Sequence, residues 1–192
     1  MNPSVRFISE KTLYKGWSTL TEYILEYTRK DKRKEKHVRE IYDSGDGAAI
    51  LLYNPESRKI TLVRQFRLPA YLNGHPDGML LEVCAGMLDL HHPEAAIIKE
   101  VEEETGIRLE RVEKIFEAFA TPGAHKEKIH FFTGTYDESM RKSKGGGLHD
   151  ENEDIEVIEI GFDKIDEILI SGGIVDIKTL ALIYYGKTNR LI

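Results

Sequence analysis

Short runs of apolar and β-branched residues fill the first half of the chain, return after residue 111, and predict β-strands. Polar turns separate several runs, at Asp31-Lys32, at Gly45-Asp46-Gly47 and at Asn54-Pro55-Glu56-Ser57. Because such residues favour tight turns, we expect the neighbouring strands to form antiparallel hairpins. The predicted strands are 5–8, 20–28, 38–42, 48–53, 60–66, 80–85, 112–120, 129–136 and 155–160.

The hydrophobic period changes in the middle of the chain. Apolar residues recur at helical spacing between Pro93 and Gly106, which are start and stop signals, so the pattern predicts a helix over 94–105. Two more helical patterns follow the last predicted strand, over 162–170 and 177–185. The sequence therefore predicts a mixed α+β fold in which a sheet is the dominant layer.

The composition is that of an ordinary globular domain. The chain has 192 residues, with 27 basic and 33 acidic side chains and a formal net charge of −6. That charge argues against a nonspecific nucleic-acid partner, because binding to the phosphate backbone requires clustered Lys and Arg. No stretch approaches the roughly 18 apolar residues of a membrane span, so we expect a cytoplasmic protein with no membrane partner. The single cysteine, Cys84, is expected to be a core residue.

Three carboxylates share one edge of the predicted helix 94–105. Glu100, Glu103 and Glu104 fall within an arc of about 100°, beside the apolar stripe of that helix. Like charges so close together favour a compensating cation, and carboxylate oxygens are the ligands that Mg²⁺ or Mn²⁺ prefers. A solvated acidic face is the alternative interpretation of the same pattern.

The residues around these carboxylates resemble a known family motif. The segment Lys99–Ile107, Lys-Glu-Val-Glu-Glu-Glu-Thr-Gly-Ile, resembles the core of the Nudix box, Arg-Glu-aliphatic-x-Glu-Glu-x-Gly-aliphatic. Gly86 resembles the opening glycine of the box, although it lies one residue closer to the core than is usual. Lys99 replaces the usual arginine, and His91 or His92 replaces the first glutamate.

The resemblance extends beyond the motif to most of the chain. The wider pattern is similar to that of the bacterial GDP-mannose pyrophosphatases, within the ADP-ribose pyrophosphatase group of Nudix hydrolases. It implies a Nudix α/β/α sandwich with a mixed sheet and an N-terminal antiparallel strand extension. Residues 1–45 would form this extension and exchange strands in a homodimer, and residues 46–192 would form the Nudix hydrolase domain. The similar segments are 28–31, 39–43, 47–54, 64–67, 82–86 and 145–157.

The activity that the resemblance implies is metal-dependent hydrolysis of the diphosphate bond of a nucleoside-diphosphate sugar, converting GDP-mannose to GMP and mannose 1-phosphate. Mg²⁺, or Mn²⁺ in its place, is expected to bind Glu100, Glu104 and the backbone carbonyl of Ala85. The late acidic loop is expected to supply a further ligand or base, Glu153, with Glu151 as the alternative. The resemblance therefore assigns catalysis to Glu100, Glu104 and Glu153.

Several parts of the chain are implied to contact the substrate. Arg67 is expected to bind phosphate oxygens, or else to pair with a nearby acid as an ordinary surface arginine. Trp17 is expected to stack on the base, with a partly buried core position as the alternative. The glycines 145–147 are expected to act as a hinge for the acidic loop, or to be simply mobile. The full set of predicted substrate contacts is Trp17, Val38, Arg39, Glu40, Arg67, Ala85, Gly86, Met87, Glu104, Glu127, Asn152, Glu153 and Lys178.

Two other functions fit the same residues. An ADP-ribose or ADP-sugar pyrophosphatase would share the box, and Val38 stands where the resembled subgroup has a basic residue. A nucleotide-sugar binding module without turnover is favoured by the missing first glutamate of the box. The intact Glu100, Glu103 and Glu104 argue against that module.

Overall fold

The computed structural model describes residues 4–88, 92–148 and 154–192. These residues fall into two units, each with its own sheet. The first unit contains the chain up to Asp46 together with Phe119–Lys128, and the second contains Gly47–Ala118 and Ile129–Ile192. No helix in the described part of the chain is long and apolar enough to cross a bilayer.

Strands β1 (Ser4–Lys15), β2 (Thr19–Thr28) and β3 (Lys34–Asp43) form an antiparallel sheet in the first unit. The predicted hairpin between β2 and β3 is confirmed, and Lys32 adopts a left-handed conformation in its turn, with φ 69°. Every residue of β1 is exposed, including Phe7 at 67% of its surface. This unit therefore leaves apolar side chains on its own surface.

The segment Phe119–Lys128 joins the first unit by pairing with the end of β3. Tyr42 donates its N–H to the carbonyl of Ala124 over 2.9 Å and accepts the N–H of Lys126 over 2.9 Å. The ring centroids of Tyr42 and His125 lie 5.0 Å apart. The local sequence pattern does not predict this return, because nothing in a polar loop indicates the distant strand that it will bond.

The second unit contains a mixed sheet of seven strands. The strands are β4 (Gly47–Asn54), β5 (Lys59–Phe66), β6 (Met79–Glu82), β7 (Cys84–Met87), β8 (Glu113–Ala118), β9 (Ile129–Thr135) and β10 (Glu156–Gly161). The main path of the sheet is β10-β5-β4-β9-β8, while β6 pairs with β5 and β7 pairs with β4. The β4-β9 pair is parallel and the other pairs are antiparallel.

The other two predicted hairpin turns have different outcomes. The hairpin between β4 and β5 is confirmed, since Asn54 Oδ1 accepts the N–H groups of Glu56 and Ser57 over 3.0 and 3.1 Å. The hairpin predicted at residues 45–47 is wrong, because β3 and β4 belong to different sheets.

The predicted strand 80–85 is two strands that separate at Val83. β6 pairs with β5 and β7 pairs with β4, so the chain changes partner between them. The N–H of Val83 donates instead to Thr179 Oγ1 over 2.8 Å. This side-chain acceptor satisfies the backbone donor at the break, as a buried N–H requires.

The described residues of the second unit also form four α-helices: α1 (Leu68–Leu72), α2 (Pro93–Thr105), α3 (Ile165–Ile170) and α4 (Ile177–Thr188). The predictions at α2 and α4 are confirmed. The predicted helix 162–170 is a 3-10 turn, Phe162–Lys164, followed by α3. The short α1 is not predicted.

Alternate residues of β4 face two separate cores. Ala49 and Leu51 pack in one core with Leu182 of α4, whereas Ile50 packs in the other with Ile97 of α2. Each fully buried Ile or Leu contributes about 1.5–3 kcal/mol. The central strand thus places helices on both faces of the sheet, which confirms the α/β/α sandwich, and Cys84 is buried in the second core as expected.

Candidate active site

The helix that carries the three glutamates is fixed by its apolar face and its ends. Ile97 and Val101 are fully buried, and Pro93 begins the helix at a position where a missing N–H costs nothing. Gly106 ends it with φ 72°, a left-handed conformation that glycine adopts without strain. With this face buried, the edge that holds Glu100 and Glu104 lies beside the sheet.

Gly86 brings the backbone of β7 directly against Glu100. A Cβ atom built on Gly86 would lie 2.3 Å from Glu100 Cδ and 2.4 Å from its Oε1. Any larger residue would occupy the space of the carboxylate, so glycine permits this close approach and an added side chain would displace Glu100. The result is a cradle in which the Glu100 carboxylate lies beside the strand that contains Ala85.

Glu104 is buried at 2% exposure, one helical turn from Glu100. Burying a carboxylate is costly unless compensating charge is near. Burial acts to lower the pKa of the Arg67 guanidinium. The hydrogen bond and charge of Glu82 outweigh it, helped by the charges of Glu104 and Asp176, so the pKa is raised above its ordinary value. Glu104 thus lies within electrostatic reach of Arg67.

The chemistry of the predicted metal ligands fits a hard divalent cation. They are the carboxylates of Glu100 and Glu104 and the carbonyl of Ala85, and Mg²⁺ binds such oxygens with water completing its shell. Among the described residues, no three His, Cys, Asp or Glu side chains converge on one point. The fourth predicted ligand, Glu153, lies outside the described residues, as do Glu151 and Asn152. Glu103 Oε2 accepts a hydrogen bond from Lys99 Nζ over 2.7 Å.

The glycines 145–147 lie against the C-terminal end of α2. Gly146 donates its N–H to the carbonyl of Glu104 over 2.8 Å, and Gly147 donates to that of Glu103 over 3.1 Å. A Cβ on Gly145 would lie 2.2 Å from the Glu104 carbonyl oxygen. These glycines therefore cap helix carbonyls through close backbone contact. Their part in a hinge stays a prediction.

Arg67 lies just after β5 and forms a bidentate ion pair with Glu82, the last residue of β6. Its Nε donates to Oε1 over 2.7 Å and its Nη2 donates to Oε2 over 3.0 Å. Lys178 Nζ lies 3.4 Å from the same Oε2 and donates to Asp176 Oδ1 over 2.6 Å. The structure thus brings together two predicted substrate contacts, Arg67 and Lys178, through two acids that the sequence analysis did not single out. The signal for Glu82 is a charged residue inside the apolar run 80–85.

Asp176 caps the N-terminus of α4. Its Oδ2 accepts the N–H of Thr179 over 2.9 Å and the Thr179 hydroxyl over 2.7 Å. Burial acts to raise the pKa of Asp176, but the charge and hydrogen bond of Lys178 and the Thr179 donors outweigh it, so the pKa is lowered. Asp176 is therefore ionised at neutral pH.

Replacing Asp176 with Asn is expected to make stability less dependent on pH. A lowered folded-state pKa stabilises the protein above the unfolded-state pKa of about 3.9, and this stabilisation is lost as pH falls through the folded-state value. At pH 7 we expect Asp176→Asn to lower the free energy of unfolding by about 1–3 kcal/mol. Urea unfolding at pH 7, 5 and 3 measures the difference, which should shrink below pH 4. An equal difference at all three values would contradict the ionised cap.

The other predicted substrate contacts are divided between the units. Trp17 is 75% exposed, so the alternative of a partly buried core tryptophan is wrong. Val38, Arg39 and Glu40 are exposed on β3, and Glu127 Oε2 lies 3.7 Å from His125 Nδ1 in the first unit. The second unit contains Arg67, Ala85, Gly86, Met87, Glu104 and Lys178.

Comparison with known proteins agrees with the motif. A family model described as NUDIX domain matches residues 43–180, and one described as GDP-mannose pyrophosphatase NudK N-terminal domain matches residues 4–42. The chain is 44% identical to the GDP-mannose pyrophosphatase of Cronobacter sakazakii over 185 residues, which is 96% of each chain. It is 44% identical to that of Salmonella typhimurium and 43% identical to that of Escherichia coli, each over 192 residues and 100% of both chains.

These matches confirm the resemblance that the acidic helix indicated. The NUDIX model takes in well over half of the chain and includes the whole of α2 with Gly86. The relatives match it from end to end at an identity that far exceeds chance similarity. This protein belongs to the Nudix hydrolase family.

Proposed function

We propose that this protein hydrolyses the diphosphate bond of GDP-mannose, giving GMP and mannose 1-phosphate. The observation that carries the proposal is the Glu100 carboxylate against Gly86, one helical turn from the buried Glu104, in a chain similar throughout its length to GDP-mannose pyrophosphatases. Nudix hydrolases generally need divalent metal ions. We assign that role here to Mg²⁺, with Mn²⁺ as the alternative.

The proposed reaction uses each residue of the site in a different way. Glu100, Glu104 and the Ala85 carbonyl would hold the metal, which supplies charge neutralisation of the diphosphate and a more acidic attacking water. Arg67 and Lys178 bind anionic oxygens of the substrate and keep the diphosphate in one orientation. Glu153, or Glu151 in its place, accepts the proton of the water whose oxygen bonds to phosphorus. The bridging oxygen then leaves with one of the two phosphate products.

We also propose a homodimer formed through the first unit. Its antiparallel sheet exposes Phe7, Tyr14, Val5 and Ile8, and exposed apolar patches of this kind mark protein contacts. A second copy is the partner that the resemblance implies, with Val38, Arg39 and Glu40 reaching the nucleotide of the other subunit. Trp17 and Glu127 are proposed to contact the substrate from the same unit. The cytoplasmic location and the lack of a nucleic-acid partner stay predictions.

A product assay on the purified protein tests the proposal. GDP-mannose, GDP-glucose, ADP-ribose and ADP-glucose are each incubated with Mg²⁺, with EDTA as the control, and products are identified by chromatography. We expect the highest kcat/KM for GDP-mannose, with GMP and mannose 1-phosphate as products and no turnover in EDTA. A preference for ADP-ribose would overturn the substrate, and tight binding without any turnover would indicate a binding module.

One observation favours the ADP-ribose alternative. Val38 replaces the basic residue that the resembled subgroup has at this position, so one charged contact to the nucleotide is missing. The ratio of kcat/KM between the GDP and ADP sugars is therefore the quantity that decides between the two activities.

A further inference from the structure

Five side chains of the second unit form one network, which we call the buried charge network: Arg67, Glu82, Asp176, Lys178 and Thr179. Glu82 is at its centre, 1% exposed, and both of its oxygens contact cations. The two cations come from different elements, since Arg67 follows β5 and Lys178 lies in the first turn of α4. A single buried carboxylate thus joins parts of the chain that are 111 residues apart.

The network is arranged with its acids inside and its cations outside. The side chains of Glu82 and Asp176 are 2% and 10% exposed, whereas those of Arg67 and Lys178 are 39% and 22% exposed. A purely stabilising core is better built from apolar residues, because burying ion pairs costs desolvation energy that the pairing seldom exceeds. The arrangement holds two positive charges at a solvent-accessible surface. Such a surface suits an anionic ligand.

Glu82 also fixes how the Arg67 guanidinium is presented. Two of its five N–H donors, on Nε and Nη2, form the fork with Glu82. Because the group is planar, its opposite edge is directed away from the carboxylate. The bidentate pair with Glu82 restricts the conformations of the Arg67 side chain before any ligand is present. Less conformational entropy is therefore lost when an anion binds.

The network is connected to the candidate metal site through a short stretch of backbone. Glu82 ends β6, Val83 bonds Thr179, and Ala85 lies in β7 only three residues after Glu82. Thr179 in turn donates its hydroxyl to Asp176. The same hydrogen bonds therefore set the positions of both cations relative to the Ala85 carbonyl.

We propose that Glu82 and Asp176 are positioning residues that hold Arg67 and Lys178 at the diphosphate of the nucleotide sugar. Neither acid contacts the substrate, since each acts through the cation that it binds. This inference rests on the proposed function, because it assigns the anion to that substrate.

The test compares two glutamine variants at ion-paired glutamates. Glu82→Gln keeps the size of the side chain but removes its charge, and we expect KM for GDP-mannose to rise about tenfold. The Mg²⁺ concentration at half-maximal rate should change less than about twofold, since Glu82 is not a proposed ligand. Glu159→Gln is the matched control, because Glu159 also binds two cations, Lys59 and Arg141, outside the network. Its KM should equal that of the wild type.

Two more variants separate positioning from a general loss of structure. Glu82→Asp keeps the charge and should recover part of the KM effect at a similar melting temperature. If Glu82→Gln does not fold, Asp176→Asn removes one partner of Lys178 and should raise KM by a smaller factor. A wild-type KM in the folded Glu82→Gln variant, or an equal rise in Glu159→Gln, would overturn the inference.

Failure of the inference and failure of the proposed function give different results. If the wild type hydrolyses GDP-mannose but Glu82→Gln keeps its KM, only the inference is wrong. If the wild type hydrolyses no nucleotide sugar, the proposed function is wrong. Calorimetric binding of GDP to the wild type and to Glu82→Gln then decides the inference: about tenfold weaker binding supports it, and equal binding overturns it.

Discussion

Glu104→Gln is expected to lower kcat for GDP-mannose at least about a hundredfold, the scale on which losing a metal ligand acts. The glutamine has nearly the same volume, so the buried position of Glu104 should stay filled and the fold intact. What changes is the negative charge, which a hard divalent cation requires. Initial rates across a range of Mg²⁺ concentrations measure this loss, and excess Mg²⁺ should not restore the wild-type rate. Glu100→Gln should act in the same way.

Glu102 provides the control on the same helix. Its carboxylate is exposed and accepts a hydrogen bond from Arg108 Nε over 3.0 Å, so it faces away from the candidate metal site. Glu102→Gln should keep at least about half of the wild-type rate, because an exposed ion pair contributes little. Near-normal activity in both Glu100→Gln and Glu104→Gln would refute the site assignment.

The local part of the site could be predicted because its residues are close in sequence. Helical spacing alone places Glu100, Glu103 and Glu104 on one edge, and α2 is found almost at the predicted bounds. The sequence matches Gly86 to the motif by its position alone. The structure shows why this position holds a glycine. A Cβ there would fill the space of the Glu100 carboxylate.

The buried charge network could not be predicted, because its members are joined over long separations. Val83 and Thr179 are 96 positions apart, yet their hydrogen bond divides one apolar run into β6 and β7. Hydrophobic periodicity reports only which face of an element is buried. It does not report that Arg67 and Lys178 share Glu82. The pairing of Tyr42 with residues 124–126 was beyond prediction for the same reason.

The glycines 145–147 show how one composition supports two interpretations. Glycine in a long loop is typical of a hinge and equally of a simply mobile segment, and the sequence alone leaves both open. The N–H groups of Gly146 and Gly147 donate to carbonyls at the end of α2, and Gly145 approaches the Glu104 carbonyl more closely than any side chain would allow. The absence of a side chain permits both backbone motion and close backbone contact, so glycine composition alone does not distinguish the two.

Gly86→Ala is expected to reduce activity about 10–100-fold while leaving the protein folded. The added Cβ would lie 2.3 Å from Glu100 Cδ, so one of the two groups must move. Glu100 Cδ is at the far end of a flexible side chain, and its displacement costs the fold little. It does, however, move a proposed metal ligand, and such disturbances typically cost about 10–100-fold in metal affinity or activity.

The measurement is the Mg²⁺ concentration at half-maximal rate, together with the melting temperature. For Gly86→Ala we expect a higher Mg²⁺ requirement at nearly the wild-type melting temperature. Gly123→Ala is the matched control, because a Cβ there would meet nothing within 4 Å, and it should change neither quantity. If Gly86→Ala kept the wild-type rate and Mg²⁺ requirement, Glu100 would not be a metal ligand in its observed position. The candidate metal site would then have to lie away from the β7 backbone, where the carbonyl of Ala85 could not serve it.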